Sequence, residues 1–222
     1  MKPYLIGIAG PSGAGKSYLS KHIGRELNAA LLHLDSYYSD LAHLSVVQRA
    51  HQNFDSPDSL DAHLFSEHIR QLSKGIAIEK PLYDFTIHAR KTETERLEPH
   101  DFIIIEGILS LYWEDVRKLI QTKVYVDLGE DICLERRIER DICERGRTRE
   151  GVLEQYHSTV LPSAKRYVYP TREFADIVVT GNDNIDHEVS LVLSHIRERA
   201  PATHSKKSVF RPERERKALR LS

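Results

Sequence analysis

The chain has 222 residues, 40% of them hydrophobic, and a formal net charge of −1. That supports one full domain with at most a small insertion, and the near-neutral balance argues against a molecule that binds nucleic acid through bulk positive charge. Two cysteines, Cys133 and Cys143, exclude a disulfide framework and suggest a reducing, cytoplasmic setting, and no apolar run approaches the ~20 residues needed to span a bilayer.

Met1-Lys2-Pro3-Tyr4 runs straight into an apolar stretch, Tyr4 to Ala9, which leaves no room for a targeting segment and predicts a buried strand. Gly10-Pro11-Ser12-Gly13-Ala14-Gly15-Lys16-Ser17 follows and fits G-x-x-x-x-G-K-[ST], the phosphate-cradling P-loop. Leu19, Ile23 and Leu27 then recur at helical spacing, so strand, loop and helix stand in the order the motif requires. Gly13 and Gly15 allow the backbone to approach a phosphate closely. Lys16, expected open to the phosphate rather than buried, reaches the β- and γ-phosphates, and the Ser17 hydroxyl ligates Mg²⁺.

A second apolar run, Ala29 to Leu34, ends at Asp35. Ligands of open α/β sheets sit at the carboxyl ends of strands, so Asp35 is a candidate proton acceptor for a substrate hydroxyl or a holder of a metal-bound water, with a helix or turn cap as the alternative. Leu41 to His51 reads as a short helix. Asn53-Phe54-Asp55-Ser56-Pro57 is a loop that opens a helix carrying Leu60, Leu64, Ile69 and Leu72 and ending near Gly75. Asp55 there is either a carboxylate for a pair of vicinal hydroxyls or one more loop aspartate.

Residues 76–86 and 92–97 predict a projecting hairpin with Ile76, Ile78, Leu82 and Phe85 on its apolar side and Pro81 marking an edge strand. The stretch Tyr83 to Lys91 is its loop, where Tyr83 and His88 are placed to stack on and hydrogen-bond a planar ring, with a structural or merely exposed histidine as the alternative. Asp101 to Leu109 is a strong buried strand ending in Glu106, an acid at the Walker B position for Mg²⁺, with Gly107 bending the backbone beside the metal. Thr122 to Asp127 is a further strand.

The helix from Glu130 to Glu144 has Leu134, Ile138 and Ile142 as its expected core stripe, with Arg136, Arg137 and Arg140 projecting away from it. Arg136 to Arg149 holds six arginines. They form either a salt-bridged face or, with a P-loop upstream, a lid over a triphosphate at about 136–149. A helix around 151–159 carries Gln155, Ala175 to Val179 is the last strand, Gly181-Asn182-Asp183-Asn184 is a turn, and Val189, Val192, Leu193 and Ile196 mark a closing helix. From Pro201 the composition becomes basic and poor in apolar residues, so 201–222 is expected to be a disordered tail outside the domain of residues 1–200.

Taken together, Gly10 to Ser17, Asp35-Ser36-Tyr37-Tyr38, Asn53 to Pro57, Pro81 to Phe85 with His88, Glu106 to Leu109, Arg136 to Asp141 through Arg145-Gly146-Arg147, and Gln155-Tyr156 resemble the uridine kinases (uridine–cytidine kinases) of the P-loop kinase class. The resemblance runs from about Ile6 to Ile196. It implies an α/β P-loop NTPase fold with a central parallel sheet of five strands and a small hairpin insertion over the acceptor site. It also implies transfer of a phosphoryl group from ATP or GTP, with Mg²⁺, to the 5′-hydroxyl of uridine or cytidine. Asp35 is the implied general base, Asp55 the partner of the ribose hydroxyls, and Tyr83 and His88 the contacts to the pyrimidine. Arg137, Arg147 and Gln155 also hold the nucleoside, Arg140 and Arg145 belong to the lid near the transferred phosphate, and Asp183 touches the donor. Self-association into a homo-oligomer, a tetramer in such kinases, is implied too. The chain departs from the pattern at Leu34, where Gln or Glu commonly precedes the base, at Thr180 in place of Pro, and at Arg172. A sibling kinase such as phosphoribulokinase or a nicotinamide riboside kinase is the alternative. A GTPase-like switch is a weaker one, because no Asn-Lys-x-Asp sequence is present.

Overall fold

The computed structural model describes residues 2–41, 43–45, 48–49 and 52–201. The expected tail and part of the helix expected over residues 41–51 lie outside the described residues.

Among the described residues, five strands form one parallel sheet in the order β2-β5-β1-β6-β7. They are β1 (Tyr4–Ala9), β2 (Ala30–His33), β5 (Phe102–Glu106), β6 (Thr122–Val126) and β7 (Ile177–Val179). β1 and β5 are buried at every position, which is why they read as unbroken apolar runs rather than alternating ones. Their side chains still divide by parity. Leu5, Ala9, Ile103 and Ile105 point into one core with Phe65 and Ile69 of helix α2 (Ala62–Ser73). Tyr4, Ile6, Ile8, Phe102 and Ile104 point into the other, with Leu19 and Ile23 of helix α1 (Lys16–Leu27) and Val192 and Ile196 of the closing helix Ile185–Arg199. The expected five-stranded α/β architecture is the one found.

The hairpin's first strand is shorter than expected, its second begins earlier, and its loop is tighter. β3 (Ile78–Asp84) pairs antiparallel with β4 (Ala89–Leu97), and Tyr83 and Asp84 are strand residues opposite Arg90 and Ala89. The register shifts between Pro81 and Tyr83. Ile76 and Phe85 lie outside β3 and are 51% and 41% exposed, whereas the irregularity turns Tyr83 into the buried side. A bulge re-aims side chains in this way. Arg90 ties the hairpin to the rest of the domain. Its guanidinium donates to the Tyr38 carbonyl at 3.0 Å and the Tyr37 carbonyl at 3.3 Å, and it pairs with Asp61, the N-cap of α2, at 3.2 Å.

The arginine-bearing helix, α3 (Glu130–Arg145), is rotated from the expected orientation. Its buried residues are Cys133, Arg137, Ile138 and Asp141, whereas Ile142 is 42% exposed. The inner stripe of 133, 137 and 141 includes an arginine and an aspartate, so a search for apolar residues alone picks a stripe displaced by one position. Gly146 ends the helix in a left-handed conformation (φ 64°), as residues past a helix end often do. Helix α4 (Arg149–Gln155) then runs on through the π-helical turns Tyr156–Val160 and Ala164–Val168.

Candidate active site

The carboxyl ends of β1, β2 and β5 open onto one cleft. The P-loop leaves β1 and enters α1 with Gly13 at φ 87°. A Cβ on Gly13 would stand 2.3 Å from the Cys133 carbonyl oxygen, so the loop sits directly on α3 and tolerates only glycine there. Lys16 opens α1, and it is buried rather than open, at 7% exposure. Its ammonium donates to the Pro11 carbonyl at 2.8 Å, arching over its own loop. Burial pushes its pKa down, while Glu106 and Asp35 oppose the shift.

Glu106 ends β5 beside β1. Its carboxylate accepts from the Ser17 hydroxyl at 3.2 Å and from His33 Nδ1 at 2.9 Å on the same oxygen. Burial disfavours its charge, yet His33 and Lys16 together hold its pKa below the ordinary value. Ser17 and Glu106 are hard oxygen donors placed together, the type of pair that suits Mg²⁺, which takes one or two protein oxygens and fills its shell with water and substrate phosphates. His33 was not expected in the site. The parallel register β2–β5 sets it opposite Glu106, a pairing of residues 73 positions apart that no local pattern reveals.

Asp35 follows β2 in a single 3₁₀ turn, Leu34–Tyr37. β5 lies between β2 and β1, so the P-loop and Asp35 face each other across the end of one strand. Burial and the neighbouring Glu106 push the Asp35 pKa up, against Lys16, Arg145 and Arg140. Leu34 is completely buried, and a Cβ on Gly107 would meet the Leu34 side chain at 2.4 Å. Gly107 stands at the bend that follows β5, as expected, and it also permits this close packing on Leu34. Gly107→Ala should push Leu34, and Asp35 after it, off position. Overpacking of this kind costs ~1–3 kcal/mol, so a melting-temperature drop of about 5 °C by calorimetry is expected. A shift under 1 °C would show that Leu34 moves aside freely.

One cavity is lined by Asp55, Tyr83, His88, Arg137, Arg140, Arg145, Arg147 and Gln155 together with Asp35 and Ser12 of the P-loop. It also contains Tyr38, Phe54, Phe85 and Ile108, to which the sequence assigned no role. Phe54 stacks on the His88 ring (4.8 Å between centroids, 21° between planes), and Tyr38 meets Phe54 and Tyr83 edge-on or tilted at 5.2 and 5.3 Å. His88 holds a left-handed conformation (φ 50°) at the hairpin tip, sparsely populated for a non-glycine residue. Burial first, and then Arg147 and Arg145, push its pKa down, so the ring is neutral at neutral pH. Burial pushes the Tyr83 phenol up to about 12, and its buried hydroxyl has no hydrogen-bond partner among the described residues. An unpaired buried hydroxyl beside a cleft is a group waiting for a ligand atom.

Gln155 Oε1 accepts from Arg147 at 2.6 Å and Arg137 at 3.2 Å, and Arg137 lies 3.6 Å from Asp55. Asp183 is exposed on its turn and does not line this cleft. The turn itself packs on the back of the P-loop: a Cβ on Gly181 would stand 2.3 Å from the Ala14 carbonyl oxygen, and Arg136 donates to the Gly181 carbonyl at 3.0 Å and to Asn182 at 3.3 Å. Glu188, buried in the closing helix, accepts from the Gly181 N–H at 2.7 Å and fixes the turn.

A cradle for phosphate, an acid across from it and arginines closing over the space between them belong to the P-loop kinases as a class. Within that class, the model of the Phosphoribulokinase / Uridine kinase family matches residues 5–186, and the chain belongs to this family. A uridine kinase of Clostridium tetani is 40% identical over 200 residues, covering 89% of this chain and 96% of that one. A uridine kinase of Brevibacillus brevis is 43% identical over 180 residues, covering 80% and 84%. The phosphoribulokinase from Rhodobacter spheroides superimposes with a TM-score of 0.61 at 15% identity, covering 82% of this chain and 73% of its own, and shares the fold.

Proposed function

We propose that the chain transfers the γ-phosphoryl group of ATP or GTP to the 5′-hydroxyl of uridine or cytidine, yielding the nucleoside monophosphate. The observation that carries this reading is the division of one cleft into two halves. The cavity lined by Tyr83, His88, Asp55 and Gln155 forms the nucleoside half and reaches Asp35 and Ser12, and Lys16, Ser17 and Glu106, beside Asp35, form the phosphate half. The 40% identity to a protein named uridine kinase supports the same substrate.

The chemistry is positioning and charge stabilisation. Asp35 accepts the hydroxyl proton as the ribose oxygen bonds to the γ-phosphorus and the β–γ bridging bond breaks. Lys16, Arg140 and Arg145 offset charge on the phosphoryl oxygens. Ser17 and Glu106, with Asp35 through water, would hold Mg²⁺, which would supply positive charge to neutralise the phosphates. Asp55 accepts from the ribose hydroxyls, and the neutral His88 and protonated Tyr83 hydrogen-bond the edge of the base. Arg137, Arg147 and Gln155 frame the same nucleoside, and Asp183 touches the donor from its turn. The protein acts in the cytoplasm as a homo-oligomer.

The test is donor consumption with and without nucleoside, with direct detection of each monophosphate across uridine, cytidine, nicotinamide riboside and ribulose 5-phosphate. Turnover that starts only on adding uridine or cytidine is expected. Product from another acceptor alone would move the protein to a different branch of the family. His88→Ala should raise the nucleoside KM about tenfold, the value of one hydrogen bond near 1.4 kcal/mol, and leave the donor KM within twofold. A raised donor KM with an unchanged nucleoside KM would place His88 in the wrong half of the cleft.

A further inference from the structure

Asp141 is completely buried on the inner stripe of α3, and it meets four arginines. One carboxylate oxygen takes Arg140 at 2.8 and 3.0 Å and Arg145 at 3.4 Å, and the other faces Arg137 at 3.7 Å and Arg147 at 3.5 Å. Its backbone carbonyl also accepts the N–H groups of Gly146 and Arg147, closing the turn that brings Arg145 and Arg147 back over the helix. A single residue thus sets both the path of the chain and the convergence of the guanidinium groups. Asp55 adds a second carboxylate at Arg137 alone.

Burial works against its charge, but Arg140, Arg145 and Arg137 hold the Asp141 carboxyl below the ordinary range. Two carboxylates, Asp141 at all four arginines and Asp55 at Arg137, oppose four guanidinium charges at this point. Like charges gathered in a partly dry site repel strongly, so the excess positive charge needs an anion, and the cleft that the arginines line reaches Ser12 of the P-loop.

We propose that Asp141 is the positioning residue of the arginine lid. Its carboxylate is the resident counter-ion that keeps Arg137, Arg140, Arg145 and Arg147 gathered before phosphate arrives, and a phosphate anion entering the cleft supplements it. This rests on the reading of Arg140 and Arg145 as the phosphate-facing part of the lid, and not on which nucleoside is phosphorylated. Asp141 touches no reacting atom. It acts through the arginines.

The test uses the full chain with Asp141→Asn, which keeps the shape and removes the charge. In thermal melts without nucleoside, the variant should unfold at a lower temperature than the wild type, and inorganic phosphate should raise its melting temperature by at least twice the wild-type shift, because phosphate supplies the missing anion. In turnover assays its kcat should fall tenfold or more, and Asp141→Glu should regain part of the loss. An equal phosphate shift in the two proteins, or a kcat within threefold of the wild type, overturns the proposal. If Asp141→Asn does not fold, Asp141→Asn/Arg140→Gln decides: removing one positive charge with the negative one should restore a cooperative melt, and a double variant that stays unfolded makes Asp141 a packing residue. The phosphate melts contain no nucleoside, so an error in the substrate assignment leaves their outcome unaffected.

Discussion

Asp35→Asn is expected to lower kcat and kcat/KM together by ~10²–10⁴, the usual cost of losing a positioned general base, with nucleoside and donor binding little changed. The substitution keeps the shape of the side chain in its 3₁₀ turn and removes only the proton acceptor. Asp35 is suited to the role by its surroundings. Burial and Glu106 raise its pKa, while Lys16, Arg145 and Arg140 limit the rise. A raised pKa means that the ionised, proton-accepting form is lost as pH falls through a value above the ordinary one for an aspartate. In the wild type, kcat/KM should therefore fall on the acid side earlier than for an exposed aspartate, and in Asp35→Asn that limb should be absent. The competing role is to hold a Mg²⁺-bound water. Measuring kcat across a Mg²⁺ titration separates the two. Rescue only at high Mg²⁺ would make Asp35 a metal-shell residue, and near-normal kcat at every Mg²⁺ level would remove it from the mechanism.

Lys16→Ala should lower kcat by ~10²–10³, the cost of losing one preorganised donor at a developing charge, with a cooperative thermal melt retained. The ammonium is already aimed by its bond to the Pro11 carbonyl, so little reorganisation is needed when phosphate enters. Its loss leaves Glu106 and Asp35 without the cation between them. Lys16→Arg should not recover activity, because a planar guanidinium does not fit a loop shaped around a point charge at 7% exposure. Activity within tenfold of the wild type in either variant would show that the phosphate is held by the loop backbone alone. A melt that loses its cooperativity would make the defect one of folding.

The sequence by itself determined the elements whose signals are local. β1 and β5 are uninterrupted apolar runs because both faces of the sheet are covered, and the P-loop spacing lies within eight consecutive residues. Strand order is not local, but the rule that ligands sit at carboxyl ends of parallel strands was enough to single out Asp35 and Glu106. The motif residues on the hairpin and in α3 were legible as a set of chemical types.

Only the tertiary structure decided how those types face one another. Periodicity reports where apolar side chains are buried, and it is silent where the buried positions are charged. Arg137 and Asp141 lie inside because each compensates the other and because Arg140, Arg145, Arg147, Asp55 and Gln155 complete their pairing, so the stripe drawn through Leu134 and Ile142 came out displaced. His33 meets Glu106 through a strand register, and Phe54 stacks on His88 across 34 positions of chain. Lys16 and Gly107 were recognised, but the burial of the first under its own loop and the packing of the second on Leu34 follow from contacts between separate elements. A charge is cheap to bury only when its partners are already in place, and those partners are brought by the fold from segments that share no local pattern.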